Sequence, residues 1–316
     1  MRILITGGFG FIGGRLGQYL QQAGHEIVLG SRNASSPPHW LPQAELVKAS
    51  WNDGRALEKI CNGVDVVIQA AGMNAQDCAA NPVAALEFNG LATARLLVAA
   101  SRAGVKRFIY LSTAHVYATQ LANTIDEESC PRNLHPYATS HLAGENVVLG
   151  ASQHGQIEGI VLRLSNAFGV PAHAETNCWM LLVNDLCRQA VCDRRLTLRS
   201  AGLQQRDFVT LHDVGRIFAH MLDLPDERIG GAIFNVGGGR ARRVIDMAEM
   251  IQARCLAVLG FIPEIIRPEP IQGEKSPNLD YRIDKLLATG FSLEGDYHDE
   301  VDATLRLCND VFGGGS

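Results

Sequence analysis

Three groups of residues have types and spacings that could do chemistry. The first is Thr6-Gly7-Gly8-Phe9-Gly10-Phe11-Ile12-Gly13, a glycine-rich turn between an apolar run and a helical pattern. Gly7 permits a tight turn, Gly10 lets backbone approach a pyrophosphate, and Gly13 lets the following helix pack close to the strand. A phosphate in such a loop sits at a helix N-terminus, where unpaired N–H groups point outward. Glycine triplets also occur in turns that bind nothing; position directly after the first apolar run is what favours a dinucleotide, held by the glycines with Phe9, Phe11 and Ile12 between them. The second group is Ser31-Arg32, at the end of the second apolar run. A carboxylate there would hydrogen-bond an adenosine ribose and favour NAD, whereas a hydroxyl and a guanidinium accept a 2′-phosphate, so the pair leans towards NADP. The plainer alternative is that Arg32 points into water. The third group is Tyr137 and His141, one helical turn apart and so on one face.

These residues need a scaffold. Short apolar runs alternating with helical patterns argue for strand–helix–strand units building a parallel sheet. Strands are expected over residues 2–6, 26–29, 46–48, 64–69, 107–112 and 159–164, and helices over 14–22, 84–103 and 137–153, the second of these stopped by Gly104. After about Asn166 the beat is lost. Residues 170–177 read as loop, 179–190 and 243–259 as helices, and the stretch up to Val236 as short strands and loops. Residues 263–279, with four prolines, read as an extended surface segment. The terminal Gly313-Gly314-Gly315-Ser316 resembles a linker scar and is set outside the fold.

Composition excludes several function classes. The 316 residues, 47% hydrophobic and 19% charged, suit a compact globule and not a disordered chain. With 28 Lys plus Arg against 33 Asp plus Glu, the net charge of -5 provides no basic field for a nucleic acid. The eight cysteines form no C-x-x-C pair and no cluster with histidine, so neither zinc nor a disulfide framework is expected, and reduced, buried thiols in a cytoplasmic protein are the better reading. No apolar run approaches the roughly 20 residues of a membrane span, and a strand pattern from Ile3 leaves no room for a signal peptide.

The glycine spacing, Thr113 ahead of Val116-Tyr117 and Tyr137 opening a helix together resemble the extended short-chain dehydrogenase/reductases, and more narrowly their NAD(P)-dependent epimerase/dehydratase branch, which acts on nucleotide sugars. The resemblance runs over essentially the whole chain, through Gln69-Ala70-Ala71, Phe88-Asn89-Gly90, Leu164-Ser165-Asn166, Arg206-Asp207-Phe208-Val209 and Phe234-Asn235-Val236-Gly237. It implies an α/β fold: a Rossmann-like doubly wound parallel sheet over residues 1–165, with part of 205–240 returning to it. Residues 166–204 and 241–312 would form a smaller, discontinuous substrate-binding domain. It also implies a nicotinamide cofactor beside Ala70 and Ala71, a nucleotide-sugar substrate, and a homodimer through a pair of long helices. In such enzymes a tyrosine exchanges a proton with a sugar hydroxyl while hydride passes between that carbon and the nicotinamide. The matching residue is Tyr137, with Thr113 hydrogen-bonding the same oxygen and Asn89 supporting the site. Asn166 and Asn177 match positions that contact substrate phosphate or sugar, and Arg206 a diphosphate contact; each could equally brace a loop.

One departure bears on mechanism. A phenol, with a reference pKa of about 10, needs a nearby cation, and the family supplies a lysine four residues after the tyrosine. This chain has His141 there. An imidazole part-charged near pH 7 would lower the tyrosine pKa less than an ammonium, yet it can still donate to the nicotinamide ribose. Either the histidine substitutes in a working enzyme, which intact Tyr137, Thr113 and glycine loop favour, or the protein binds cofactor and does little redox chemistry. The residues after Thr113 narrow the reaction. Nucleotide-sugar 4,6-dehydratases carry a carboxylate where this chain has Ala114-His115, so that elimination is not expected. Relatives that epimerise and reduce a 4-keto sugar place a base where His115 stands, which makes His115 a candidate base or else a histidine held by backbone. The activity expected is NAD(P)-dependent hydride transfer on a nucleotide-diphosphate sugar, as in a 4-keto-sugar epimerase/reductase. The alternative among enzymes is a reductase of a smaller carbonyl compound.

Overall fold

The computed structural model describes all residues except 33–35, 226–232, 272, 274–275 and 315–316. Strands apolar on both sides must be covered twice, and the chain does this with helices on each face of one parallel sheet. Its seven strands lie in the order Ile233–Val236, Glu158–Leu164, Arg107–Thr113, Val66–Gln69, Arg2–Thr6, Glu26–Ser31, Glu45–Lys48. The direction of winding reverses between Arg2–Thr6 and Val66–Gln69, so a crevice opens beyond their carboxyl ends, where Thr6 and Gln69 are register partners.

Alternation along each strand sorts the side chains into two cores. Ile3, Ile5, Ile27 and Leu29 pack under the Phe11–Gln22 and Leu211–Asp223 helices through Leu16, Leu20, Ile217 and Phe218. Leu4, Val28, Val67 and Phe108 face the other way, under Leu57, Leu96, Leu97 and Val148 from the Gly54–Cys61, Ala92–Arg102 and Pro136–Gln153 helices. Each such side chain, fully buried, contributes about 1.5–3 kcal/mol. A third core, with Phe168, Leu186, Phe208, Met247, Ile251 and Leu305, joins the Leu182–Asp193, Val244–Leu259 and Tyr297–Phe312 helices to a small sheet of Ala241–Arg243, Gln205–Thr210 and Asn166–Phe168.

Several sequence expectations need correction. The helix expected over 84–103 is three pieces: Pro82–Ala85, a π-helical turn Leu86–Leu91, and Ala92–Arg102. By length and composition the run Pro82–Arg102 is long and apolar enough to cross a membrane, although no such run was expected; half of its apolar window is buried inside the protein, against neighbouring helices. Where short strands and loops were expected stands the Leu211–Asp223 helix, with Thr210 Oγ1 accepting from the Asp213 amide at 3.0 Å and Val214, Ile217, Phe218 and Met221 at helical spacing. All eight cysteines are free thiols, with Cys130 and Cys192 exposed and the rest buried. Of the expected linker scar, residues 315–316 lie outside the described residues.

The Pro136–Gln153 helix is tied to the sheet by a desolvated ion pair. Arg163 Nη2 donates to Glu145 Oε2 at 2.7 Å with the side chains only 4% and 0% exposed, and Arg163 Nε donates to the same carboxylate. Ser112 Oγ donates to Glu145 Oε1 at 2.5 Å, and Arg163 Nη1 donates to Tyr117 Oη at 2.8 Å. Burial alone would lower the guanidinium pKa; the Glu145 hydrogen bonds and charge, helped by Tyr117, outweigh it and raise it. Removing one partner strands the other charge, so Glu145→Ala should cost about 3–5 kcal/mol in chemical denaturation. Lys106→Ala, which breaks a 3.8 Å pair with a 70% exposed lysine, should cost less than about 1 kcal/mol. Equal losses for the two variants would refute the anchoring role.

Candidate active site

The glycine turn leaves room where side chains would fill it. Gly7 sits at φ +67°, and a Cβ there would stand 2.7 Å from the Ala71 amide nitrogen; a Cβ on Gly13 would run into the Gly7 carbonyl. Gly10 N donates to Gly7 O at 2.8 Å, closing the turn ahead of the Phe11–Gln22 helix. A cavity of ≈290 Å³ adjoins it, lined by Gly7, Phe9, Gly10, Ser31, Arg32, Trp51, Ala70, Ala71 and Phe88 among others. The Arg32 guanidinium lies 5.3 Å over the Phe88 ring, and Trp51 meets Phe88 edge-on at 5.6 Å. Trp51 Nε1 is buried and has no hydrogen-bond partner among the described residues, which leaves a donor in the wall for a ligand. A cleared turn at a helix N-terminus, an aromatic wall and an unsatisfied donor fit a dinucleotide.

Beyond it, a cavity of ≈450 Å³ brings together Tyr137, Thr113, His115, His141, Asn166 and Arg206, with Phe11, Ile12, Ala70 and Ala71 on the side next to the glycine turn. Thr113 ends the Arg107–Thr113 strand, and its Oγ1 accepts from the His115 amide at 3.1 Å. Tyr137 is the second residue of the Pro136–Gln153 helix, whose start is set by Pro136 and by His135 Nδ1 accepting from the Tyr137 amide at 3.2 Å. Burial pushes the Tyr137 phenol above its usual pKa; a hydrogen bond with Thr113 pulls it partly back, and Cys78 adds to the rise.

His141 is not the part-charged group that its position suggested. Its ring meets the Tyr137 ring edge-on at 4.6 Å, and burial pulls the imidazole down to about 4, so it is neutral at physiological pH. His115 is also lowered, by burial first, against hydrogen bonding with backbone at Ala118 and Thr119; Arg206 and His135 lower it further. Burial lowers the Arg206 guanidinium pKa, and among the described residues no carboxylate offsets it. Asn166 Nδ2 donates to the Asp207 carbonyl at 2.8 Å, which fixes its amide at the cavity wall.

Two candidates do not reach this cavity. Asn89, 1% exposed, stands behind it: its Oδ1 accepts from the Met73 amide at 2.8 Å and its Nδ2 donates to Ser140 Oγ at 3.0 Å. The π-turn around it puts the amide between the strand-end loop and the Tyr137 helix, so it braces both. Asn177 lines an adjoining cavity of ≈560 Å³ that shares Gly72, Met73 and Asn74 with the first but has neither Asn166 nor Arg206 in its wall. Sequence reasoning overlooked Gly72, Trp51, Phe88, Ser140 and Tyr110. Tyr110 carried a signal, since a phenol inside a buried strand requires a hydrogen-bond partner.

The sequence model of the NAD dependent epimerase/dehydratase family matches residues 3–237. The chain is 30% identical over 258 residues to a dTDP-6-deoxy-L-talose 4-dehydrogenase (NAD(P)(+)) of Kitasatospora kifunensis, covering 79% of this chain and 78% of that one. It is 26% identical over 268 residues to a UDP-glucose 4-epimerase of Azospirillum brasilense, covering 79% and 76%. Among solved structures, the Thermus thermophilus UDP-glucose 4-epimerase in complex with NAD matches with a TM-score of 0.80 at 22% identity, covering 98% and 100%. RMD from Pseudomonas aeruginosa complexed with NADPH matches with a TM-score of 0.79 at 23% identity, covering 98% and 99%. At these identities the structural likenesses establish the fold.

The neutral imidazole has a consequence for acid stability. The unfolded chain takes a proton at His141 near its reference pKa of about 6.5, and the folded protein does so only near 4. Stability from this group is therefore complete above about pH 6.5 and is lost as pH falls towards 4, by about 3 kcal/mol. Wild-type protein should lose that much more than His141→Gln when denaturation is compared at pH 7 and pH 4. Identical losses would show that the ring is charged when folded.

Proposed function

Because the chain belongs to the NAD-dependent epimerase/dehydratase family, we propose that it reduces, with or without epimerisation, a 4-keto nucleotide-diphosphate sugar, Tyr137 supplying the proton to the sugar oxygen. It is an enzyme of the extended short-chain dehydrogenase/reductase type. The observation that carries the reading is the shared cavity, into which Tyr137, Thr113, His115, Asn166 and Arg206 all open beside Ala70 and Ala71. The glycine turn would hold a pyrophosphate, Ser31 and Arg32 an adenosine 2′-phosphate, Trp51 and Phe88 the adenine, and His141 a nicotinamide ribose. Bound there, NADPH supplies the hydride.

The protein's own groups favour the reductive direction. A phenol raised by burial and, among the described residues, without a cation beside it is protonated at neutral pH, which makes Tyr137 an acid before it is a base. Thr113 shares a hydrogen bond with that phenol and would orient its hydroxyl in the cavity. His115, neutral at pH 7, has a lone pair available to remove a proton from the carbon next to a ketone. Arg206, half-desolvated, would pair with a diphosphate, and Asn166 would bind beside it. Residues 166–204 and 241–312 would form the substrate-binding part. Val83, Leu86, Leu91 and Val98, exposed along the Pro82–Arg102 run, suit a homodimer through long helices. The missing cation favours a second reading, a cofactor-binding protein with little redox activity.

Three measurements test these proposals. With a panel of 4-keto nucleotide sugars, NADPH should be oxidised; Tyr137→Phe should lower kcat by about 100-fold or more while NADPH binding persists. His115→Ala should stop entry of solvent deuterium at the carbon beside the ketone. NADPH bound without turnover on any carbonyl would establish the second reading. Separately, the wild type should prefer NADPH to NADH, and Arg32→Ala should weaken NADPH about tenfold or more without affecting NADH. A preference for NADH would overturn the cofactor assignment.

A further inference from the structure

Behind His141, on the side away from the substrate cavity, lies Tyr110, 1% exposed. Its hydroxyl is 3.1 Å from His141 Nδ1 and 3.5 Å from the carbonyls of Asn89 and His141. A hydroxyl and a neutral imidazole have one proton each to place along this contact. If the ring carried its proton on Nδ1, Tyr110 would have to donate across 3.5 Å to the carbonyl of His141 or of Asn89, or else to Thr93 Oγ1, which already accepts from Gln69 Nε2 at 3.1 Å and gives its own proton to the Asn89 carbonyl at 2.7 Å. If Tyr110 donates to Nδ1, the short contact is satisfied and the ring proton goes to Nε2. That nitrogen faces Gly72: a Cβ on Gly72 would lie 3.8 Å from it, and Gly72 and His141 both line the cavity where the cofactor and substrate sides meet. The site behind the ring is closely filled, since a Cβ on Gly144 would stand 2.5 Å from the Tyr110 oxygen.

We propose that Tyr110 is a positioning residue that holds His141 in the Nε2–H tautomer, so that a neutral N–H presented to the cofactor cleft does the ribose-holding work that an ammonium does elsewhere in the family. The inference rests on the proposed placing of a nicotinamide ribose at His141. It does not depend on turnover. Burial keeps the Tyr110 phenol protonated, as a donor to Nδ1 must be.

The test reads the tautomer directly. Long-range proton–nitrogen NMR of protein labelled with nitrogen-15 in histidine should show His141 in the wild type with the proton on Nε2, before and after NADPH is added. Tyr110→Phe should release the ring to a mixture of tautomers and weaken NADPH binding about tenfold, the scale of one hydrogen bond to the cofactor. The kcat at saturating NADPH should change less than the KM for NADPH. A wild-type spectrum with the proton on Nδ1 overturns the proposal without any variant. So does a folded Tyr110→Phe protein with unchanged tautomer and unchanged affinity. An Nε2–H tautomer whose Nε2 chemical shift does not move when NADPH binds would instead refute the ribose placing while leaving the tautomer lock standing.

Discussion

A guanidinium and a carboxylate removed from water decide where Tyr137 lies. Glu145 is two helical turns beyond Tyr137, Arg163 belongs to the Glu158–Leu164 strand, and Ser112, which also bonds Glu145, immediately precedes Thr113. The start of the helix and the end of the Arg107–Thr113 strand are thus registered through one set of hydrogen bonds. Such a pair gains little net stability over a packed apolar substitute, because desolvation offsets most of its Coulomb energy. What it does here is directional. Arg163 also reaches Tyr117, whose hydroxyl donates to Asn235 Oδ1 at 2.8 Å, so the Ile233–Val236 strand is aligned by the same network.

A second chain of polar groups runs beneath the cofactor side of the crevice. Thr6 bonds Gln69, Gln69 Nε2 donates to Thr93 Oγ1 at 3.1 Å, and Thr93 donates to the Asn89 carbonyl, which brings the π-turn under the loop that starts at Ala70. Every member of this chain is neutral. In a low-dielectric setting neutral hydrogen bonds hold geometry without the cost of a buried charge. The same economy applies to His141, and it explains why an imidazole there behaves as a fixed dipole and not as a cation.

The sequence made the parallel sheet legible because the strands are continuous apolar runs and the glycine turn has a steric meaning that needs no neighbours. Tyr137, Thr113, His115, Asn166 and Arg206 were found by type and position, and the fold brings them to one cavity. Three things were not legible. The π-turn at Leu86–Leu91 adds a residue without any disturbance of apolar spacing, so the segment reads as one helix. The Leu211–Asp223 helix was obscured by polar residues at its start: Thr210, whose side chain caps it, and Asp213, whose carboxylate accepts from the Glu294 and Gly295 amides. The charge of His141 depends on burial by residues distant in the chain, and spacing along a helix carries no information about that.

The histidine and Tyr110 are best understood together. A lysine ammonium has three donors and no acceptor, so a buried phenol beside it would have to accept, and its own proton would need another partner. Imidazole offers an acceptor on one side and a donor on the other. It lets Tyr110 donate inward while a proton remains available at the cleft. The loss is electrostatic: among the described residues no cation acts on the Tyr137 phenol, and burial keeps it protonated. On the proposed reading this suits an enzyme that receives a ketone and gives it a proton, and it suits poorly one that must begin by taking a proton from an alcohol.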